Sequence, residues 1–249
     1  MTLENPGQLS LGPHACGSVE HFERLKGILS DPDDNREVDI GLALISACSG
    51  GNLPAVQYLV EHHSAADYFY KYRHPLNIVC RKNYLPIVHY FVEQVGADIH
   101  RKDKEWGNTP LHCACLYGNL AIVQYLVDKN ASLDEINESG DAPVHLACSG
   151  GHVDVVRYLI NDADASVFVT NSQGYTLLHS TCEPRYRGGD RMKHITLIEF
   201  LLDHPRIPDS MRHDENNSGE KPRDLLQNWH ADAAQRLFPH FTKGAMEEV

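Results

Sequence analysis

The chain has 249 residues, of which 42% are hydrophobic and 22% charged, a balance typical of folded proteins with a buried core. Its 22 basic and 34 acidic residues give a formal net charge of -12, which opposes nucleic-acid binding because phosphates repel an acidic surface. The first 17 residues lack a secretory signal, and no later stretch is apolar for long enough to insert into a membrane. We therefore expect a cytoplasmic protein, or a nuclear one.

The N-terminal part of the chain is predicted to be a tail followed by a cap. We expect residues 1–18 to form a flexible tail. Val19–Leu29 has the pattern of an isolated amphipathic helix, and we expect residues 19–40 to cover the end of the structure that follows.

From Gly41 onward one pattern recurs along the chain. The residues Ala47–Gly51 return unchanged as Ala147–Gly151, and related segments lie between them. Four of the five spacings between matching core positions are close to 33 residues, which indicates a repeat architecture. Those positions are Leu44, Leu76, Leu111, Val144, Leu178 and Arg223, which lie 32, 35, 33, 34 and 45 residues apart.

The pattern of apolar, glycine and proline residues in each repeat predicts two short helices. The second helix has apolar residues at i, i+3 and i+4, which share one helical face, and an aromatic column beside them that we interpret as packing. Glycine or asparagine at the link suits a left-handed backbone, and proline suits the start of the first helix. The triplets begin at Val56, Val88, Val123, Val156 and Ile198; the aromatic column is Tyr58, Tyr90, Tyr125, Tyr158 and Phe200; the links are Gly51, Asn83, Gly118 and Gly151; the prolines are Pro75, Pro110 and Pro143.

The third repeat contains Gly107–Ala114, with Thr-Pro-Leu-His at its centre, followed by Gly118–Val123. It resembles the G-x-T-P-L-H-x-A signature of ankyrin repeats, and Gly140–Ala147 and Gly174–His179 are similar. The resemblance covers about residues 40–238. It implies an all-α solenoid of stacked helix-turn-helix units with short finger loops, formed by one domain at residues 19–241. Repeats are expected near residues 41–72, 73–105, 106–139, 140–172 and 173–215, with a C-terminal cap at 216–241 and a tail at 242–249.

The fifth repeat has about eight extra residues around Glu183–Lys193. This insert is basic and contains glycine, although the chain as a whole is acidic. Insertions in repeat proteins map to loops, often on a binding face. The extra residues are either a binding loop or an insertion that the fold tolerates without a function.

The residues that carry chemistry in enzymes do not assemble into a motif here. Five cysteines share one repeat column, where the separation of stacked helices exceeds the reach of a disulfide. We find no zinc spacing, phosphate-binding loop or catalytic triad, so we expect no enzyme, no cofactor, no metal and no small-molecule substrate. A hydrolase using His194 and Asp190 is the remaining catalytic alternative. The ankyrin resemblance implies that His112, His145 and His179 form hydrogen bonds between neighbouring repeats.

The resemblance implies a protein-binding scaffold with a concave groove between the fingers and the first helices. We expect an adaptor or inhibitor, monomeric on its own, that binds a partner segment with aromatic or acidic character. The alternative is a regulatory or targeting subunit of a separate enzyme, which would dock through residues 183–193. Candidate partner-binding residues are Arg81, Lys82, Trp106, Asn108, Tyr117, Asp141 and Tyr175 in the groove and Arg185, Tyr186 and Arg187 in the insert.

A second aromatic group, Tyr68–Tyr72, lies between the first two repeats. It is either a further anchor for a partner or a cover for the edge of the degenerate first repeat.

Overall fold

The computed structural model describes residues 22–23, 26–27, 40–63, 74–183 and 191–238. In these ranges the secondary structure is entirely helical, without strands. The chain divides into two compact units, one of residues 1–114 and 124–131 and the other of residues 115–123 and 132–249. Residues 22–23 and 26–27 are helical, as the amphipathic pattern ahead of the first repeat predicts.

The helices follow one another as pairs, one pair for each predicted repeat. The first four pairs are α1 (Ile40–Gly50) and α2 (Leu53–His63), α3 (Pro75–Lys82) and α4 (Leu85–His89), α5 (Pro110–Leu116) and α6 (Leu120–Asp128), and α7 (Pro143–Ser149) and α8 (Val153–Asn161). They are followed by α9 (Leu177–Cys182) and α10 (Arg191–Asp203), and then by α11 (Pro222–Gln227) and α12 (Ala231–Leu237). A π-helical turn, Tyr90–Gln94, extends α4, and a 3₁₀ turn, Asp209–Arg212, follows α10.

The core of the first unit lies between the two layers of helices. Helix α1 packs against α2 and α3, and α2 packs against α4. Leu44, Leu59, Leu76 and Phe91 are fully buried there, and each such side chain stabilises the fold by about 1.5–3 kcal/mol. The predicted apolar face of the second helix is confirmed, because the first two members of every triplet are buried.

The second unit has the same layered arrangement and ends, within the described residues, in the short helices α11 and α12. Helix α7 packs against α8 and α9, and α9 packs against α10 and α11. Leu225, Leu226 and Phe238 form a buried cluster with residues of α9 and α10. The Nε1 atom of Trp229 donates to the main-chain oxygen of Cys182 at 2.6 Å. The last helices therefore cover the apolar face that the fifth repeat would otherwise expose to water.

The links between paired helices have the predicted backbone conformation. All four link residues are left-handed, with φ between 64° and 71°. At the three glycine links, an aromatic ring of the following repeat occupies the position that a Cβ atom on the glycine would take. Glycine is therefore required for close contact as well as for conformation. The ring and glycine pairs are Tyr84 with Gly51 in the first unit, and His152 with Gly118 and His194 with Gly151 in the second.

The longest regular spacing, the 35 residues from Leu76 to Leu111, has two structural origins. One additional residue lies in the π-helical turn, where the main-chain N–H of Val95 donates to the oxygen of Tyr90, five residues earlier. The other lies in the finger before α5, described below. This spacing thus reflects two local insertions, one at the end of the second helix and one in the finger.

The insert of the fifth repeat is partly helical. Helix α10 has 13 residues, whereas its counterpart α8 has nine. Its additional first turn is Arg191–His194, and residues 184–190 lie outside the described ranges. Where the structure is described, no helix is both long and apolar enough to cross a membrane.

Candidate functional site

Each finger that the structure describes is held by one acidic or amide side chain at its start. In the second unit, the Oδ1 atoms of Asn137, Asn171 and Asn216 each accept two main-chain N–H groups. The main-chain N–H of each asparagine donates to the carbonyl oxygen four residues later. Such side-chain bonds to the backbone fix a tight turn without help from a neighbouring segment.

The finger before α5, in the first unit, departs from this pattern by one residue. Asp103 replaces the asparagine, and its Oδ1 accepts from the main-chain N–H groups of Glu105 and Trp106 at 3.2 and 2.8 Å. Its own N–H donates to the oxygen of Asn108, five residues later. The extra residue enlarges the turn immediately before Gly107, where Trp106 is located.

Trp106 is the largest exposed side chain on a described finger. Its exposed fraction is 59%. Its main-chain N–H is bonded to Asp103, so the residue projects from a fixed turn. Tryptophan is enriched among residues that dominate protein interfaces, because it supplies a large contact area at a small cost in side-chain entropy.

The fingers are joined to the first helices by a column of polar side chains. In the second unit, His145 and His179 donate through Nε2 to a main-chain oxygen of the next finger, at 3.1 and 3.0 Å. These bonds confirm the contact that the ankyrin resemblance implies. In the first unit, Asn77 occupies the histidine column, and its Nδ2 donates to the oxygen of Asn108 at 2.8 Å and to Oδ2 of Asp103 at 3.3 Å.

Basic residues lie close to this finger in the first unit. Lys82 is exposed and Arg81 is half-buried at the end of α3. Burial and the charge of Asp103 together raise the pKa of the Cys113 thiol to about 12, against the opposing charge of Arg81. Burial and the charge of Arg101 together lower the pKa of His74 to about 4.

Tyr117 belongs to the second unit and lies just before the link of the third repeat. Its exposed fraction is 40%. The neighbouring link is rigid, because Gly118 is covered by the ring of His152 and the Nε2 atom of His152 donates to the oxygen of Leu116 at 3.0 Å. Tyr117 is therefore an exposed aromatic side chain on a well-held turn.

Three of the candidate partner-binding residues have structural contacts in the fingers. Asn108 and Asp141 are buried, and Oδ1 of Asp141 accepts from Nδ2 of Asn171 at 2.7 Å. Tyr175 is half-buried and stacks on His179 with ring centroids 5.5 Å apart. Burial and the carboxyl group of Glu183 raise the pKa of the Tyr175 hydroxyl. We therefore leave Asn108 and Asp141 out of the proposed contact surface, because little of either residue is accessible.

The remaining candidates lie outside the described residues. Arg185, Tyr186 and Arg187 of the insert are among them, as are Tyr68–Tyr72 and Asp190. The described end of the insert, Arg191–Lys193, is exposed.

Among the described residues, four exposed large apolar side chains were not identified by the sequence analysis: Leu42, Ile136, Phe168 and Met192. Phe168 has an exposed fraction of 73% and Ile136 one of 52%, both in the second unit. A comparison of repeat columns would have identified Phe168, which lies three residues before Asn171. The matching positions in other repeats, three residues before Asn137 and Asp103, are the polar residues Asp134 and His100. A large apolar residue in a polar column is a signal of exposure.

The described cysteines, and the histidine of the catalytic alternative, are buried in the packed structure. All six described cysteines are buried free thiols, and burial raises the pKa of Cys148 to about 12, which keeps it protonated at neutral pH. His194 is buried, and its Nε2 donates to the oxygen of Ser149 at 3.2 Å. No group of three potential metal ligands occurs within the described ranges.

Comparison with known proteins agrees with the repeat geometry. The family model for ankyrin repeats (three copies) matches residues 14–103, 76–170 and 133–212. The chain is 29% identical over 92 residues to the ankyrin repeat protein nuc-2 of Neurospora crassa, and these residues are 37% of this chain. It is 27% identical over 123 residues, 48% of this chain, to alpha-latrocrustotoxin-Lt1a of Latrodectus tredecimguttatus. The matched stretch spans 9% of the length of either relative. With helical pairs, left-handed links and finger turns in the same register, the chain belongs to the ankyrin-repeat family.

Proposed function

We propose that this protein is an adaptor or inhibitor that binds a segment of a partner protein through its fingers and the adjoining ends of its first helices. Ankyrin repeats are generally protein–protein interaction modules, and the family match covers most of the chain. The observation that carries the proposal is Trp106, a 59% exposed tryptophan on an enlarged finger. No catalytic step is part of this function, and the protein acts as a monomer in the cytoplasm or nucleus.

The fixed geometry of this finger supports binding. Asp103 holds the turn through two main-chain bonds, and Asn77 ties it to α3. Because these contacts exist before a partner arrives, little conformational entropy of the finger is lost on binding. Ordered fingers with variable exposed side chains suit recognition of one segment over another.

The test compares Trp106→Ala and Tyr117→Ala with Phe168→Ala. All three remove an exposed aromatic side chain, so each variant should keep the circular dichroism spectrum and melting curve of the parent. Loss of an interface anchor costs about 2 kcal/mol, or roughly 30-fold in affinity. We expect that loss for the first two variants and not for the control, measured with a partner identified by affinity purification. Unaltered partner binding by Trp106→Ala would remove this finger from the interface.

A second candidate function is favoured by the exposed extra turn of α10. Arg191 and Lys193 lie in its first turn, where the helix dipole disfavours positive charge. A role in docking would explain why the basic residues are there. In this alternative the protein is a regulatory or targeting subunit, and the insert at 183–193 contacts a separate catalytic chain. Deletion of that insert should then release a stoichiometric enzyme subunit from the purified complex, whereas retention of that subunit rules the alternative out.

A further inference from the structure

We infer that the finger before α5 and the end of α3 bind an acidic segment of the partner protein. The inference rests on the proposed function and adds the chemistry of the partner at that site. We call this surface the basic finger surface; it comprises Arg81, Lys82, Arg101, Lys102, Lys104 and Trp106.

The basic finger surface reverses the charge of the rest of the chain. Residues 81–82 and 98–106 contain five lysine or arginine residues and three acidic residues. The whole chain has a formal net charge of -12. A local basic cluster in an acidic protein attracts an acidic segment there, while the remaining surface repels it.

Two of the three acidic side chains beside this surface, Asp98 and Asp103, accept hydrogen bonds from groups close to the turn. Asp103 accepts main-chain N–H groups through Oδ1 and the Asn77 amide through Oδ2. Oδ1 of Asp98 accepts from the main-chain N–H of His100 at 2.9 Å. By contrast, Lys82 and Lys104 are exposed. Asp98 and Asp103 thus stabilise the turn, and the ammonium groups of Lys82 and Lys104 are exposed to a partner.

The end of α3 lies beside the turn that presents Trp106. Asn77 of α3 contacts Asp103 and Asn108 of that turn, and Arg81 lies one helical turn after Asn77 on the same face. Arg101, Lys102 and Lys104 lie within five residues of Trp106 in the sequence, and Asp103 is bonded directly to the main chain of Trp106. An indole ring beside several cations suits a segment in which carboxylates flank an apolar or aromatic residue.

The test uses three labelled peptides of equal length, each with a central phenylalanine flanked by glutamate, glutamine or lysine. Fluorescence anisotropy with the full chain should show binding of the glutamate peptide, about tenfold stronger than that of the glutamine peptide and weakened by added salt. The lysine peptide should not bind. Equal affinity for the glutamate and glutamine peptides, or no binding of the glutamate peptide at about 1 mM, would overturn the inference.

Charge-reversal variants locate the site. Lys82→Glu with Lys104→Glu should lower the affinity for the glutamate peptide by about tenfold or more, whereas Lys193→Glu, an exposed lysine of the second unit, should not. Tighter binding of a single-stranded oligonucleotide than of the glutamate peptide would instead assign the cations to nucleic acid and overturn the inference.

The natural partner separates this inference from the proposed function. If Trp106→Ala abolishes partner binding while the Lys82→Glu and Lys104→Glu double variant retains it, the finger binds its partner without charge recognition. In that case the inference fails and the proposed function stands. If neither variant alters partner binding, both the inference and the proposed function are wrong for this surface.

Discussion

The ring of His152 lies where a Cβ atom on Gly118 would have to be, and its Nε2 atom anchors it to the main chain one residue from Tyr117. Two neighbouring repeats of the second unit are thus in contact through a glycine and a histidine at matched positions. The same relationship recurs between Gly151 and His194. Tight packing of this kind makes the link sensitive to a single added methyl group.

Gly118→Ala should therefore destabilise the protein by about 2–4 kcal/mol, because left-handed strain and overlap with the His152 ring add together. Urea denaturation measures the loss. Gly96→Ala is the matched control, since Gly96 has φ of 70° and no atoms near its Cβ position, and we expect it to cost about 1 kcal/mol. Equal losses in the two variants would show that the ring contact contributes nothing. In a His152→Ala background the cost of Gly118→Ala should approach that of the control.

Asn77→Ala should lower the free energy of unfolding by about 1–3 kcal/mol, because it leaves the main-chain oxygen of Asn108 without this buried donor. It should also weaken partner binding, because the finger carrying Trp106 loses its tie to α3. Asn77→His introduces the residue found elsewhere in the column and should keep most of both properties. Full stability of Asn77→Ala in chemical denaturation would contradict this assignment.

Arg206 holds the loop that follows α8 in the second unit. Its guanidinium donates to the main-chain oxygens of Ile160 and Ala165 and pairs with Asp164 at 3.0 Å. Arg206→Lys cannot reproduce the forked geometry and should destabilise the protein by about 2 kcal/mol. The control is Arg236→Ala, which removes an exposed pair with Glu199 and should cost less than about 1 kcal/mol. A smaller loss for Arg206→Lys than for the control would refute this role.

Stability should decrease as the solution becomes mildly acidic. Burial lowers the pKa values of His74, His152 and His179, and that of His74 falls to about 4. The unfolded chain, in which histidine has a pKa of about 6.5, therefore binds protons that the folded chain excludes. The stability that comes from this pKa difference is complete above pH 6.5 and decreases as the pH falls. For His74 the decrease occurs between about pH 6.5 and about pH 4.

His74→Asn gives a direct measure of this linkage. Between pH 6 and 4.5 the free energy of unfolding should depend less steeply on pH in the variant, by up to about 1.4 kcal/mol per pH unit, which corresponds to one proton. Urea denaturation at several pH values supplies both slopes. Identical slopes in the parent and the variant would show that His74 binds protons equally well in the folded and the unfolded protein.

The sequence alone was sufficient to predict the helical pairs, the core positions and the conformation of the links. A period near 33 residues, an apolar face such as Val56 and Leu59, and glycine at the link each constrain local conformation, and the same constraint appears several times along the chain. Repetition makes such signals specific, because chance matches do not stay in register. The place of Trp106 on a finger was implied by the ankyrin resemblance, because this residue immediately precedes Gly107.

Only the tertiary structure decided which finger residues are accessible. Asn108 and Asp141 have polar side chains and looked suited to binding, yet contacts with Asn77 and Asn171, about 30 residues away in sequence, bury them. The extra turn of α10 also depends on neighbours that no local pattern specifies. Burial is a property of the assembled chain, because it is set by what packs against a residue, whereas periodicity and backbone preference reside in the residues themselves.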